Sequence, residues 1–455
     1  MASRADQLGM NLNLGKFGAA TELKNRLWFT LGALVVFRLL SFVPLPGIDP
    51  VAMDLAYQSR AAGGILDLFN TFSGGSLERA SIIALGVMPY ITASIVVQLA
   101  SALSPSLATL KKEGESGRKK LNQYTRYGTV LLAAIQGYVV ANGLQTAVPG
   151  QTIMPVINPG NLFVTTAVIS IIGGTLFLMW LGEQITSRGI GNGVSLIIMA
   201  GIVSSMPQTL AQLFEQGRTG SMGGALIIAL LVGAFAVIWA ISFMERSQRR
   251  VLVQYPKRAT AQGMAQQERS HLPLKVNTAG VIPPIFASSL LLLPLTITQF
   301  LGQQVNEETL WGRSLLALNQ WFAHGQPLYM ALYAAGILFF AFFYVAVVFN
   351  PEETADNLKR QGGFIPGYRP GKSTSDYLDY VLTRITVIGA VYLAIVCLIP
   401  EWVTASTGVG LALGGTSLLI LVNVTIDTVT QIQSHLLAHQ YADLIKKAKL
   451  KGRMR

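Results

Sequence analysis

The chain has 455 residues, 51% of them hydrophobic and only 12% charged, against about 25% charged in an ordinary soluble domain. So little charge could not cover a water-facing surface of this size, which points to lipid as the solvent, and the 45 glycines suit the close helix packing and broken helices of membrane bundles. The single cysteine, Cys397, excludes an internal disulfide framework and any cysteine-based metal site, while the net charge of +12 fits nucleic acid or acidic lipid until its placement is known.

Residues 1–24 are polar and hold no apolar core of signal-peptide length, so the first apolar run is expected to serve as an uncleaved anchor. A spanning helix needs about 20 mostly apolar residues. Ten runs meet that need, at 25–44, 79–103, 122–143, 161–183, 190–211, 223–244, 276–302, 326–349, 378–400 and 408–436. The seventh and tenth are interrupted by polar residues, Gly or Pro, and the ninth carries Asp379 and Arg384 near its start. Between the first two runs, residues 63–75 place Ile65, Leu66, Leu68, Phe69 and Phe72 at helical spacing between two glycine pairs. That segment is too short to cross a bilayer. The pattern leaves two readings open: an amphipathic turn on the membrane surface, or a re-entrant helix in a protein-lined cavity.

Basic residues orient the bundle, because cytoplasmic loops carry the excess of Lys and Arg. With ten spans, 29 of the 34 basic residues fall on the side of the N-terminus, and Arg60, Arg79, Arg218 and Arg313 fall on the other. Arg38 lies within the first span. A miscounted span would scramble this split, so both termini are expected in the cytoplasm. A charge at mid-bilayer is costly, so Arg38 and Asp427 are expected to face protein or to snorkel.

The expected fold is an all-α polytopic membrane protein with ten transmembrane helices in two pseudo-symmetric halves of five. A Gly/Pro-broken helix in each half is compatible with an inverted repeat. The parts are a cytoplasmic N-terminus at 1–24, six spans over 25–244, a cytoplasmic loop at 245–275, four spans over 276–436 with a cytoplasmic loop at 350–377, and a basic tail at 437–455. Seven basic residues crowd the 245–275 loop, which far exceeds the usual ~2–8-residue helix connection.

Three apparent motifs carry no chemistry. The string from Pro366 to Ser373 approaches a phosphate-binding loop, but Pro366 stands where Gly must let the backbone curl. Gly189-Ile190-Gly191-Asn192-Gly193-Val194 lacks the last glycine of a dinucleotide fingerprint and joins two spans. His435 and His439 have metal-ligand spacing without the glutamate a zinc protease requires. No catalytic pair, metal site or cofactor is expected, and the spans lack the midplane carboxylate cluster of a coupled small-solute carrier, the rival reading.

Several strings resemble the SecY family, the central subunits of the bacterial Sec protein translocon. They are Val43-Pro44-Leu45-Pro46-Gly47-Ile48-Asp49; LFNTFSGGSLERASIIALGVMPYITASIVVQ at 68–98; KKEGESGRKK at 111–120; QYTRYG at 123–128; LMWLGEQITSRGIGNG at 178–193; HLPLKVNTAGVIPPIFASS at 271–289; FNPEETADNLKRQGGFIPGYRPG at 349–371; and GGTSLLI at 414–420. The resemblance implies an hourglass of helices whose waist is a ring of branched aliphatic side chains. The ring falls here on Val87, Ile91, Val194, Ile198, Ile285 and Ile420, where family members commonly have Ile. It further implies that 63–75, with Ile65, Leu66, Leu68, Phe69 and Phe72, is a short re-entrant plug helix. Gln98 and Asn277 would lie at a lateral gate. Arg249, Arg250, Lys257, Arg258 and Arg369 would dock a ribosome, including its ribosomal RNA, or the SecA motor ATPase. The implied companions are the small subunits SecE and SecG, signal-sequence-bearing polypeptides and membrane lipid, and the implied location is the bacterial cytoplasmic (inner) membrane. The implied activity is passage of unfolded secretory polypeptides across that membrane, with lateral release of hydrophobic segments into lipid.

Overall fold

A computed structural model of the chain describes residues 21–53, 55, 70, 73–145, 155–220, 223–255, 259–260, 263–264, 269–291, 326–407 and 414–452. The helices are α1 (Thr21–Leu40), α2 (Met88–Leu103), α3 (Pro105–Lys112), α4 (Glu115–Gln145), α5 (Asn161–Arg188), α6 (Gly193–Arg218), α7 (Gly224–Arg246), α8 (Ile282–Leu291), α9 (Pro327–Val348), α10 (Pro351–Arg360), α11 (Lys372–Thr407) and α12 (Gly415–Gly452). Each of the ten apolar runs overlaps one of them. Seven described helices are long and apolar enough to cross a membrane: α4, α5, α6, α7, α9, α11 and α12. Of the other three, α1 is charged at both ends, with Glu22, Lys24, Arg26 and Arg38, and α2 and α8 are short.

Two features depart from the sequence reading. The run 79–103 is not one helix. Residues 74–87 form consecutive turns, and α2 begins only at Met88. Gly74, Gly75, Gly86 and Ala80 take positive φ there. Their irregular backbone is held by chain rather than lipid: Leu45 N–H donates to Ala80 O (2.9 Å) and Ile82 N–H to Val43 O (3.0 Å). Such backbone is tolerated at membrane depth only when buried in protein, and Ala80, Ser81, Ile83 and Ala84 are almost wholly buried. The second is local β-structure in the loop after α7, which leaves the all-α class of the fold unchanged. The strands are β1 (Gln248–Gln254), β2 (Ala259–Thr260), β3 (Gly263–Met264) and β4 (Arg269–Lys275). Strand β1 pairs antiparallel with β4, from Gln248 opposite Lys275 to Gln254 opposite Arg269, and β2 pairs with β3.

The chain forms two compact units. The first comprises Met1–Val97, Gly114–Thr209 and Ile420–Arg455; the second comprises Gln98–Glu113 and Leu210–Leu419. In the first, α4 packs on α5 with small residues at the contact, which lets backbones approach where lipid offers no hydrophobic drive. A Cβ on Gly137 of α4 would lie 3.4 Å from Ile171, and one on Gly174 of α5 would run into the Ile82 carbonyl oxygen. Leu45, Ile48, Leu85, Ala141, Leu144, Val156, Phe163 and Ala167 form one apolar cluster that closes over the ends of α4 and α5.

In the second unit, Val251 and Val253 of β1 and Leu274 of β4 pack on Leu358 of α10, Ile365, and Leu378, Leu382 and Ile385 of α11. A bridge between Gln254 and Phe364, with bonds of 2.9 and 3.0 Å, joins the hairpin to the loop after α10. Helix α10 starts cleanly because the Asn350 side chain accepts from the N–H groups of Glu352 and Glu353, at 3.1 and 3.4 Å.

Candidate functional site

The six positions that the resemblance assigns to a ring are buried or half-buried. In the first unit, Val87, Ile198 and Ile420 are buried, and Ile91 and Val194 are half-buried. In the second, Ile285 on α8 is half-buried. Val87 precedes α2, yet its carbonyl accepts from Ile91 N–H at 3.1 Å, so the pair keeps the one-turn relation that puts residues four apart on one face. Val194 sits in the first turn of α6, with Ile198 one turn further on.

The start of α6 is fixed by an unusually close turn after α5. A Cβ on Gly193 would run into the Gly182 carbonyl oxygen, and one on Gly182 would lie 3.0 Å from a methyl of Val194. Asn192 caps α6, its side-chain oxygen accepting from the N–H groups of Val194 (3.2 Å) and Ser195 (3.4 Å). Across the first unit, Thr425 of α12 donates to the Met199 sulfur of α6 at 3.7 Å.

Arg38 faces protein, as its cost in lipid requires. Its Nη1 donates to the Gly74 carbonyl (2.7 Å) and to Ser204 Oγ of α6 (3.1 Å). The guanidiniums of Arg38 and Arg79 lie 4.8 and 4.3 Å from the centroid of the Phe42 ring, within cation–π range. Asp427, by contrast, is exposed on α12.

Ile65, Leu66, Leu68, Phe69 and Phe72 lie outside the described residues, as do Lys257 and Arg258. Gln98 is half-buried near the end of α2. Asn277 is buried, and its amide serves its own surroundings. Nδ2 donates to Glu245 Oε1 (2.5 Å) and to the Gly280 carbonyl (3.1 Å), while Oδ1 accepts from Gly280 N–H (3.0 Å). Glu245, only 7% exposed at the end of α7, was not singled out by the sequence reading; its one available signal is a carboxylate closing an otherwise apolar run. Arg249 and Arg250 are exposed on β1, and Arg369 is exposed beyond the Phe364 bridge, so all three belong to one basic body of hairpin, loop and α10. The described residues contain no group of three His, Cys, Asp or Glu able to hold a metal ion.

Seven helices long and apolar enough to cross a membrane, with small residues at their contacts, define a multi-pass α-helical membrane protein. The sequence pattern of the SecY family matches residues 81–429. The chain is 52% identical to the protein translocase subunit SecY of Vibrio cholerae, over 95% of this chain and 96% of that one. It is 51% identical to the Escherichia coli K12 protein of the same name, over 98% and 99%. Among solved structures, Sec61 in the canine ribosome–channel complex from the endoplasmic reticulum matches with a TM-score of 0.63 at 16% identity, over 91% of this chain and 93% of that one, a likeness of fold. The chain belongs to the SecY family.

Proposed function

We propose that the chain is the protein-conducting subunit of a bacterial protein translocase, passing unfolded secretory polypeptides across the cytoplasmic membrane and releasing hydrophobic segments sideways into lipid. The observation that carries this reading is about half identity, over nearly the whole chain, to proteins named as translocase subunits. Supporting it, Val87, Ile198 and Ile420 are buried and Ile91, Val194 and Ile285 half-buried within their units. Together they would form an aliphatic ring. A narrow apolar constriction dewets and so blocks ions without a charged gate, yet its side chains yield to a passing chain. Residues 63–75 would plug the ring at rest, and α2 and α8 would part at a lateral gate marked by Gln98 and Asn277.

The chain itself is not an enzyme in this reading. Work comes from partners: SecA, or a ribosome of the kind bound by the Sec61 structural relative. They would dock on Arg249, Arg250, Lys257, Arg258 and Arg369, with SecE and SecG completing the assembly and both termini in the cytoplasm. Reconstitution tests this. Proteoliposomes containing the chain with its small subunits, given SecA and ATP, should render a signal-bearing precursor protease-resistant inside the vesicles. Equal protection in vesicles lacking the chain would contradict the assignment.

A further inference from the structure

Four backbone donors at the turn between α5 and α6 are satisfied from two directions. Gly189 N–H donates to Ile185 O at 2.7 Å, and Gly193 N–H to Thr186 Oγ1 at 2.8 Å, both within the α5 end of the same hairpin. The other two reach out to neighbouring helices. Ile190 N–H donates to Thr30 Oγ1 of α1 at 3.1 Å, and Gly191 N–H donates to Gln431 Oε1 of α12 at 2.9 Å. Thr30 is buried, and its hydroxyl proton is already committed to the Arg26 carbonyl at 2.9 Å, so its oxygen serves the turn as acceptor. The fit around it is close: a Cβ on Gly189 would lie 2.5 Å from Thr30 Oγ1. Leu23 of α1, Ile190 of the turn and Leu436 of α12 pack together beside these bonds.

These contacts join the elements that carry three of the ring positions. Val194 and Ile198 follow the turn directly on α6, and Ile420 lies on α12 eleven residues before Gln431, about three helical turns along the same face. A side-chain acceptor from each of two helices therefore fixes where α6 begins, and so where its ring side chains point. We propose that Thr30 and Gln431 are positioning residues for the ring, setting the register of Val194 and Ile198 against Ile420 through the backbone of Ile190 and Gly191. The inference rests on the ring reading of the proposed function. Neither residue contacts the translocating chain in this account. The two differ in weight. The Thr30 bond is buried and no water can replace it, so its loss orphans a buried N–H. Gln431 is exposed, so water can substitute for its oxygen.

The test is ion efflux from proteoliposomes holding the full complex at rest, without precursor or motor. Thr30→Val keeps the shape and removes the acceptor; Thr30→Ser keeps it. Gln431→Met and Gln431→Glu form the matching pair, since the carboxylate also accepts. Ile198→Ala opens the ring directly. The expected result is resting efflux raised roughly fivefold or more by Thr30→Val, the population shift that about one lost buried bond brings. Gln431→Met should give a smaller rise, and the Ser and Glu variants should stay near the parent. Efflux unchanged in both Thr30→Val and Gln431→Met, with Ile198→Ala leaking, would overturn the positioning role and leave the ring intact. Thr30→Ser leaking as much as Thr30→Val would also overturn it, since the hydroxyl would then not be the operative group. A tight Ile198→Ala complex would remove the ring itself. If Thr30→Val does not assemble, the exposed Gln431 pair decides alone: a leak in Gln431→Met that Gln431→Glu lacks supports the role, and no leak in either refutes it.

Discussion

Val87 and Val194 are each one methylene smaller than the four isoleucines at the other ring positions. A methylene is worth roughly 0.8 kcal/mol of apolar contact, so a ring closed by valines should dewet less completely. Val87→Ile is expected to lower resting ion conductance of the reconstituted channel by about fourfold at most; a rise would mean that Val87 does not line the constriction. Asn277 offers a second residue-scale test. Asn277→Leu removes the donor facing the buried Glu245 and the acceptor for Gly280 N–H. The loss of buried partners costs about 1–3 kcal/mol, and the purified complex should melt at a lower temperature. An unchanged melting temperature would show that these bonds carry no weight. None of this pairing was legible in sequence: the resemblance assigned Asn277 to a gate without indicating that its amide also bonds a turn and a carboxylate thirty-two residues earlier.

At the scale of elements, apolar length made the helices readable, because a spanning helix satisfies its own backbone and needs little from its neighbours. The exceptions lie where neighbours supply the bonds. Residues 79–87 read as the start of a span because Ile82, Ile83, Ala84 and Leu85 are apolar, yet they are turns anchored to Val43 and Leu45. Composition cannot separate buried irregular backbone from helix. The β1–β4 hairpin was equally invisible. Arg249 and Arg250 gave a charge signal that masked the alternation of Val251 and Val253. Helices α4 and α12 also continue past their apolar runs into polar sequence, where hydropathy sets no limit. The hairpin's junction with the loop after α10 makes an element-scale prediction. A Cβ on Gly363 would come within 3.0 Å of Tyr255 and 3.2 Å of Val253. Gly363→Val should therefore pry the loop from the hairpin, seen as faster proteolysis of both the 245–275 and 361–371 segments in the intact complex. Cleavage at the parent rate would contradict the junction.

For the whole molecule, the proposed function would have the basic excess of the cytoplasmic loops serve orientation and docking together. If Arg369 meets anionic ribosomal RNA, Arg369→Ala should weaken ribosome binding and reduce the salt slope by about one, the change expected for one phosphate contact. A slope equal to the parent's would place Arg369 outside that interface. The central claim is that a polypeptide passes the aliphatic ring, and one cross-link tests it most directly. Cys397 is the single native cysteine; with it replaced by alanine, an Ile285→Cys variant offers a unique thiol at the ring. A secretory chain stalled in transit and carrying one cysteine within its translocating segment should form a disulfide adduct at that position, and a control at an exposed position of α7 such as Phe235→Cys should not. No adduct at position 285 from any stalled length, while translocation itself proceeds, would contradict the account.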